Sequence, residues 1–325
     1  MSAVTPIDVP IDAATRRALG RGELAAERSI TKRTKKRLTS RGATIASLII
    51  ALLWTVPTFG LFISSIRPAV LINTTGWWTI FQNPGLTFDN YSQVLKAGNS
   101  QLNLGQAFIN SIAITLPATL IPLTIASLAA YGFAWMNFRG KNWMFIGVFA
   151  LQIVPLQMAL VPLLSLFSRG LSIGDVQLFS GLNASGSYTQ VWIAHTIFGL
   201  PLVIFLLHNF IAELPAELIE AARVDGAGHG QIFFRIVLPL TMPAIASIAI
   251  FQFLWVWNDL LVALVFADGQ VAPMTKLLAE ITGGRGQDWQ LLTSGAFISI
   301  LVPLIVFFAL QRFFVRGLLA GSTKG

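Results

Sequence analysis

The sequence predicts an all-α, polytopic membrane protein: a bundle of six transmembrane helices. Three observations carry that prediction. Apolar residues make up 54% of the 325 residues and charged residues only 11%, with a mean hydropathy of +0.70. A soluble globular chain carries about 25% charge, so lipid must cover much of this one. Six stretches then approach the ~20 apolar residues needed to cross roughly 30 Å of hydrocarbon. Finally, 17 of the 22 Lys and Arg fall on one side of those six stretches and 5 on the other.

The elements follow in order. Residues 1–42 are polar and end in a dense basic run at 32–41, KRTKKRLTSR. The apolar stretch behind them is too long for a signal-peptide core and has no A-x-A-like cleavage site. The expectation is a disordered basic cytoplasmic leader, drawn to anionic headgroups at its membrane-proximal end. A six-helix transmembrane domain follows at 43–314, with spans at about 43–66, 107–135, 142–167, 189–212, 241–267 and 291–314. Pro57, Pro117, Pro122, Pro155, Pro162, Pro201 and Pro303 fall inside them. In a bundle, neighbouring helices satisfy the carbonyls that proline frees, so kinked helices are expected. Residues 315–325 read as a short cytoplasmic tail.

The basic asymmetry places both termini in the cytoplasm, and an even number of spans requires them on one side. The outer segments at 168–188, rich in Gly and Ser, and at 268–290, with Gly at 269, 283, 284 and 286, read as loops. The absence of cysteine removes disulfides, thiolate metal sites and cysteine nucleophiles. The net charge of +8 belongs with basic cytoplasmic loops, since no sequence-specific nucleic-acid motif accompanies it.

The segment 213–240, ELPAELIEAARVDGAGHGQIFFRIVLPL, stands apart. Pro215 suits a first helical turn. Glu213, Glu217 and Glu220 lie toward the end where the helix dipole favours acid. Leu218, Ala221, Ala222 and Asp225 fall at helical spacings, and Gly226 supplies a stop. A second helical stretch at 232–238 ends at Pro239. Two short helices therefore flank a glycine-rich elbow at 226–230. The paired alanines make a flat strip that the groove of another protein could approach. An amphipathic helix lying on the membrane surface has the same pattern, and on the residues alone both readings stand.

Resemblance adds to this. Glu220-Ala221-Ala222, then Asp225-Gly226-Ala227, then Ile236-x-Leu238-Pro239 resembles the EAA loop of binding-protein-dependent ABC importer permeases. Ala130-Tyr131-Gly132-Phe133-Ala134 with Phe138-x-Gly140 is similar to the end of span two in carbohydrate permeases. Trp257-Asn258-Asp259 is similar to their W-N-D/E signature, and residues 317–325 resemble the MalG-type subunit tail. Residues 288–325 are most similar to the α-glucoside branch.

The resemblance runs from about residue 43 to the C-terminus. It implies a type-I ABC importer permease fold and a subunit importing an oligosaccharide or α-glucoside, with no cofactor and no catalysis of its own. Glu220, Ala221, Ala222, Asp225, Gly226 and Ala227 would couple to a cytoplasmic ATP-binding cassette dimer. The other implied partners are a second, MalF-type permease and an extracytoplasmic solute-binding protein. The implied location is a bacterial or archaeal plasma membrane. No G-x-x-x-x-G-K-[ST] phosphate loop is present, because Gly140-Lys141 runs into Asn142 and lacks the upstream glycine. ATP hydrolysis must come from a partner.

Three polar residues in the spans are candidates for the pathway or a gate: Asn258, Asp259 and Gln152. A charge in hydrocarbon is costly and usually faces a partner or cavity, but a hydrogen bond between helices would explain these residues equally. His195, midway along span four, reads as a packing hydrogen bond. The competing functions are an ion-coupled secondary transporter, a permease for a non-sugar solute, and an intramembrane enzyme. Asp259 is the one acid inside an expected span, which is few for ion coupling. No G-x-S-G, G-x-G-D or H-E-x-x-H motif is in register.

Overall fold

The computed structural model describes residues 41–99, 102–182, 186–282 and 288–322. The leader expected at 1–42 lies almost wholly outside them. The chain divides into two units, Met1–Gly60 and Leu61–Gly325. The described part of the first is helical and belongs to α1, Arg41–Ser65, which continues into the second.

The second unit is organised around α4, Leu104–Trp135. Before it come α2, Ala69–Thr74, a 3₁₀ turn at Trp77–Phe81, and α3, Asp89–Lys96. Asn103 caps α4 by accepting the Gln106 amide at 2.9 Å. Ala107, Ala118, Ala126 and Ala130 are fully buried along it. These small side chains let α7, Tyr188–Ala212, approach closely.

Prolines in α4 free two carbonyls, and two neighbouring helices take them. Pro117 has no N–H for the Ala113 carbonyl, which accepts Trp192 Nε1 of α7 at 3.0 Å. Pro122 leaves the Ala118 carbonyl, which Gln252 Nε2 approaches at 3.4 Å from α10, Leu238–Trp257. Lost intrahelical bonds thus become bonds between helices, which a bilayer interior requires.

The third expected span is not one helix. It divides into α5, Lys141–Ala150, a turn at Leu151–Ile153, and α6, Leu156–Arg169. The two parts are bent by 106°. The break is at Pro155, which holds Val154 in an extended conformation (ψ 118°). Five described helices are long and apolar enough to cross a membrane, or six if this bent pair counts as one.

The fifth expected span, 241–267, is displaced as well. Its helix begins at α9, His229–Ile232, passes through a π-helical turn at Phe233–Val237, and continues as α10. The widened turn has a cause: Pro239 has no N–H for the carbonyl of Arg235. The helix ends at Trp257, and α11, Leu261–Phe266, is separate.

The segments expected to be loops carry structure. Strands β1, Gly170–Ile173, and β2, Val176–Ser180, form an antiparallel hairpin. Beyond α11, α12 occupies Met274–Thr282. The last helix, α13, covers Trp289–Ser322 and so continues beyond the expected boundary at 314.

Among the described residues the core has three parts. One joins the C-terminal ends of α4 and α7 to the segment 213–240. A second joins the middle of α4 to α6, α7 and α11. The third holds α3 and α12 against the start of α4.

Candidate functional site

Segment 213–240 folds as two short helices about a glycine elbow. The first, α8, is Ala216–Val224, with Pro215 just before it as N-cap. Its end is a Schellman motif: Gly226 N–H donates to Arg223 O at 3.0 Å, and Ala227 N–H to Ala222 O at 2.9 Å. Gly226 has φ +80°, the left-handed conformation that this closure needs. Across the elbow, the Gln231 side chain accepts the Gly228 amide at 3.0 Å, which starts α9.

The two alanines face opposite ways. Ala222 and Ile219 are buried among Ala130, Tyr131, Phe133 and Ile211. Ala221 is exposed, as are Glu217, Glu220, Asp225 and Gly226. Ala227 is half-buried. The flat strip expected from Ala221 and Ala222 together is therefore a single alanine flanked by Leu218 and Val224, which are 45% and 87% exposed. The physical reason is helical phase: positions 219 and 222 share the face that meets α4, and 218 and 221 the face that does not. Leu218 carried that signal in its three-residue spacing from Ala221. Val224 completes the same row, three residues beyond Ala221.

Two side-chain bonds tie this segment to the end of α4. The Tyr131 hydroxyl and His229 Nδ1 are 2.9 Å apart. Arg223 Nη2 donates to Trp135 O at 3.0 Å. Trp135 Nε1 in turn donates to Ile211 O of α7 at 3.0 Å. The rings of Tyr131 and Phe233 lie 5.4 Å apart.

The polar candidates do not converge. Gln152 is exposed in the turn before Pro155. Asn258 is exposed, and its amide donates back to Leu254 O at 2.8 Å. Asp259 turns inward, with its side chain 8% exposed. One carboxylate oxygen accepts the Ala263 amide at 3.1 Å and so caps the start of α11. The same oxygen lies 3.5 Å from His195 Nε2. His195 Nδ1 is 2.9 Å from Val191 O; a carbonyl only accepts, so Nδ1 carries the hydrogen and, in the neutral ring, Nε2 is an acceptor. The space between, lined by Ser111, Thr115, His195 and Asp259, measures about 10 Å³. It has room for at most one water and none for a sugar ring. Trp257 is 3% exposed and donates to Ser299 O at 3.0 Å.

At the other end of α4, Asn110 donates to Gln270 O at 2.7 Å and Ala272 O at 3.0 Å. The Ser111 hydroxyl accepts the Met274 amide at 2.8 Å. Buried Lys276 donates to Ala267 O at 2.9 Å and reaches Asp268 at 3.3 Å. The Gly269 amide first, and then Lys276, hold the Asp268 carboxyl below its ordinary pKa.

Residues 122–319 match the family described as "binding-protein-dependent transport system inner membrane component". The osmoprotective compounds uptake permease protein GgtD of Synechocystis sp. is 53% identical over 86% of this chain and 91% of its own length. The alpha-glucoside transport system permease protein AglG of Rhizobium meliloti is 51% identical over 77% of this chain and 63% of its own. Among solved structures, a chain of a bacterial ABC transporter involved in alginate import superposes with a TM-score of 0.63 at 19% identity. That match covers 86% of this chain and 98% of the other. With its spans, the bent pair α5 and α6 and its 213–240 segment in place, the chain belongs to the inner membrane components of binding-protein-dependent ABC importers, as a multi-pass permease subunit rather than an enzyme.

Proposed function

We propose that this chain is one of two permease subunits of an ATP-driven importer for α-glucosides, and that segment 213–240 receives the ATPase. A solute-binding protein delivers the sugar, and a second permease completes the pathway. The observation that carries the docking reading is the division of α8 into two faces. Ile219 and Ala222 anchor one face in the chain's own core, so the row Leu218, Ala221 and Val224 is held out at a fixed angle. Glu220, Asp225 and Gly226 are exposed beside that row, and Ala227 packs against the core that holds Ile219 and Ala222. Of the polar candidates for the pathway, Asp259 faces inward beside His195, while Asn258 and Gln152 are exposed.

The substrate class rests on the AglG relative, an alpha-glucoside transport system permease protein. The GgtD relative's name speaks of osmoprotective compounds, and the second reading is a non-sugar solute such as glycine betaine. The test is uptake of labelled trehalose, sucrose and maltose into proteoliposomes holding the complete transporter and its binding protein. ATP-dependent uptake of at least one sugar, not displaced by excess glycine betaine, is expected. Displacement by glycine betaine, or no uptake of any of the three, would overturn the α-glucoside assignment.

A further inference from the structure

The ends of α4 are fastened to different parts of the molecule. Its start is held by Asn110 and Ser111 to the segment between α11 and α12. Its end is held to 213–240 through Tyr131–His229 and Arg223–Trp135. Between them stand Pro117 and Pro122, where the helix has given up two of its own hydrogen bonds to Trp192 and Gln252. A helix bends most readily where its ladder is already interrupted. Its last stretch, from Leu123 to Trp135, therefore has a built-in pivot behind it and a clamp in front.

We infer that α4 is the lever that segment 213–240 moves, with Tyr131 as the positioning residue that grips it and Pro117–Pro122 as the pivot. Tyr131 suits that task. It is 4% exposed, its ring packs on Phe233, and its hydroxyl meets His229 in the first turn after the elbow. When α8 is displaced, the Ile219 and Ala222 contacts transmit a push. The Tyr131 and Arg223 bonds transmit the pull, which apolar contacts alone resist poorly because they are non-directional.

This rests on the reading of 213–240 as the ATPase-docking segment, and the experiment separates the two. In the cysteine-free chain, assembled with its ATPase and second permease, a spin label is placed at Leu128→Cys, on the C-terminal part of α4 and 50% exposed. Spectra are compared without nucleotide and after trapping with ATP and vanadate. The parent should show a clear change in label mobility. Tyr131→Phe, which keeps the ring and removes the hydroxyl, should reduce that change at least twofold with the ATPase still bound. His229→Ala should do the same from the other side of the bond. The double variant should be no worse than either single one, and His229→Gln, which keeps an acceptor for the hydroxyl, should recover the change. A parent label that does not respond to trapping would overturn the inference, as would full-size changes in both single variants. Ala221→Leu tests the underlying reading: if it retains the ATPase and normal hydrolysis, docking at α8 is wrong, whatever α4 does.

Discussion

Ala221 and Ala222 are neighbours in sequence and opposites in surroundings, so substitutions at the two should fail differently. Ala221→Leu adds bulk to an exposed face. The chain should fold and insert normally but lose its ATPase on purification, because overpacking a docked surface costs roughly 1–3 kcal/mol. Ala222→Asp instead puts a carboxyl among Tyr131, Phe133 and Ile211. Even protonated it costs about 1–3 kcal/mol, and yield of the folded chain should fall before docking is in question. Detergent-solubilised yield and ATPase retention, measured on both variants, tell these outcomes apart. Asp259 is to be read the same way. Its near neighbours are Ala263 N–H and His195. Asp259→Ala removes a helix cap, at about 0.5–2 kcal/mol, and should lower the unfolding temperature. Asp259→Asn keeps an acceptor for Ala263 and offers an N–H to Nε2, so it should remain near the parent. Equal unfolding temperatures with transport lost in the alanine variant would instead mark Asp259 as part of the pathway. The type of each of these residues was visible in the sequence, but the direction each side chain faces was not. Direction depends on which side of a helix meets α4, and a nine-residue helix with apolar residues on two faces leaves that open.

At the scale of elements, agreement between sequence and structure follows the strength of the local signal. Spans two and four were expected at 107–135 and 189–212 and are found at Leu104–Trp135 and Tyr188–Ala212. Gly226 was expected to stop a helix and does so with φ +80°. Gly226→Ala should therefore destabilise the elbow by about 1–2 kcal/mol. A Cβ there would meet nothing within 4 Å, so the whole cost is conformational. Thermal unfolding of Gly226→Ala beside Gly226→Asn measures it, with asparagine the milder of the two. Pro155 carried an ambiguous signal. A proline in an apolar run kinks a helix or breaks it according to whether neighbours take the freed carbonyls, and that is decided outside the run. Trp192 and Gln252 do so for Pro117 and Pro122, which is why α4 stays whole. The hairpin has a local signal in the sequence: Gly174-Asp175 stands between Leu-Ser-Ile and Val-Gln-Leu, and Gly174 takes φ +58°.

At the scale of the whole molecule, fold class followed from composition and span length, because six apolar stretches leave few other architectures. Orientation rests on the basic residues alone. Cysteines introduced one at a time at Ser187 and Gly228 should react with a membrane-impermeant maleimide from outside and from inside respectively. Labelling on the opposite sides would reverse the topology. Because the natural chain has no cysteine, the experiment carries no background.

The π-helical turn at Phe233–Val237 has a consequence for how the chain tolerates changes in length. Removing one residue from the middle of an α-helix turns everything beyond it by about 100° and drags buried side chains out of register. At this turn the helix already holds one residue more than the α-ladder needs. Loss of an exposed member such as Phe234, 63% exposed, would close the bulge and leave both flanks nearly in place. Between the elbow and Trp257, a one-residue deletion should therefore cost least stability at this turn, which thermal unfolding of the Phe234 deletion beside a deletion at Ile250 would measure.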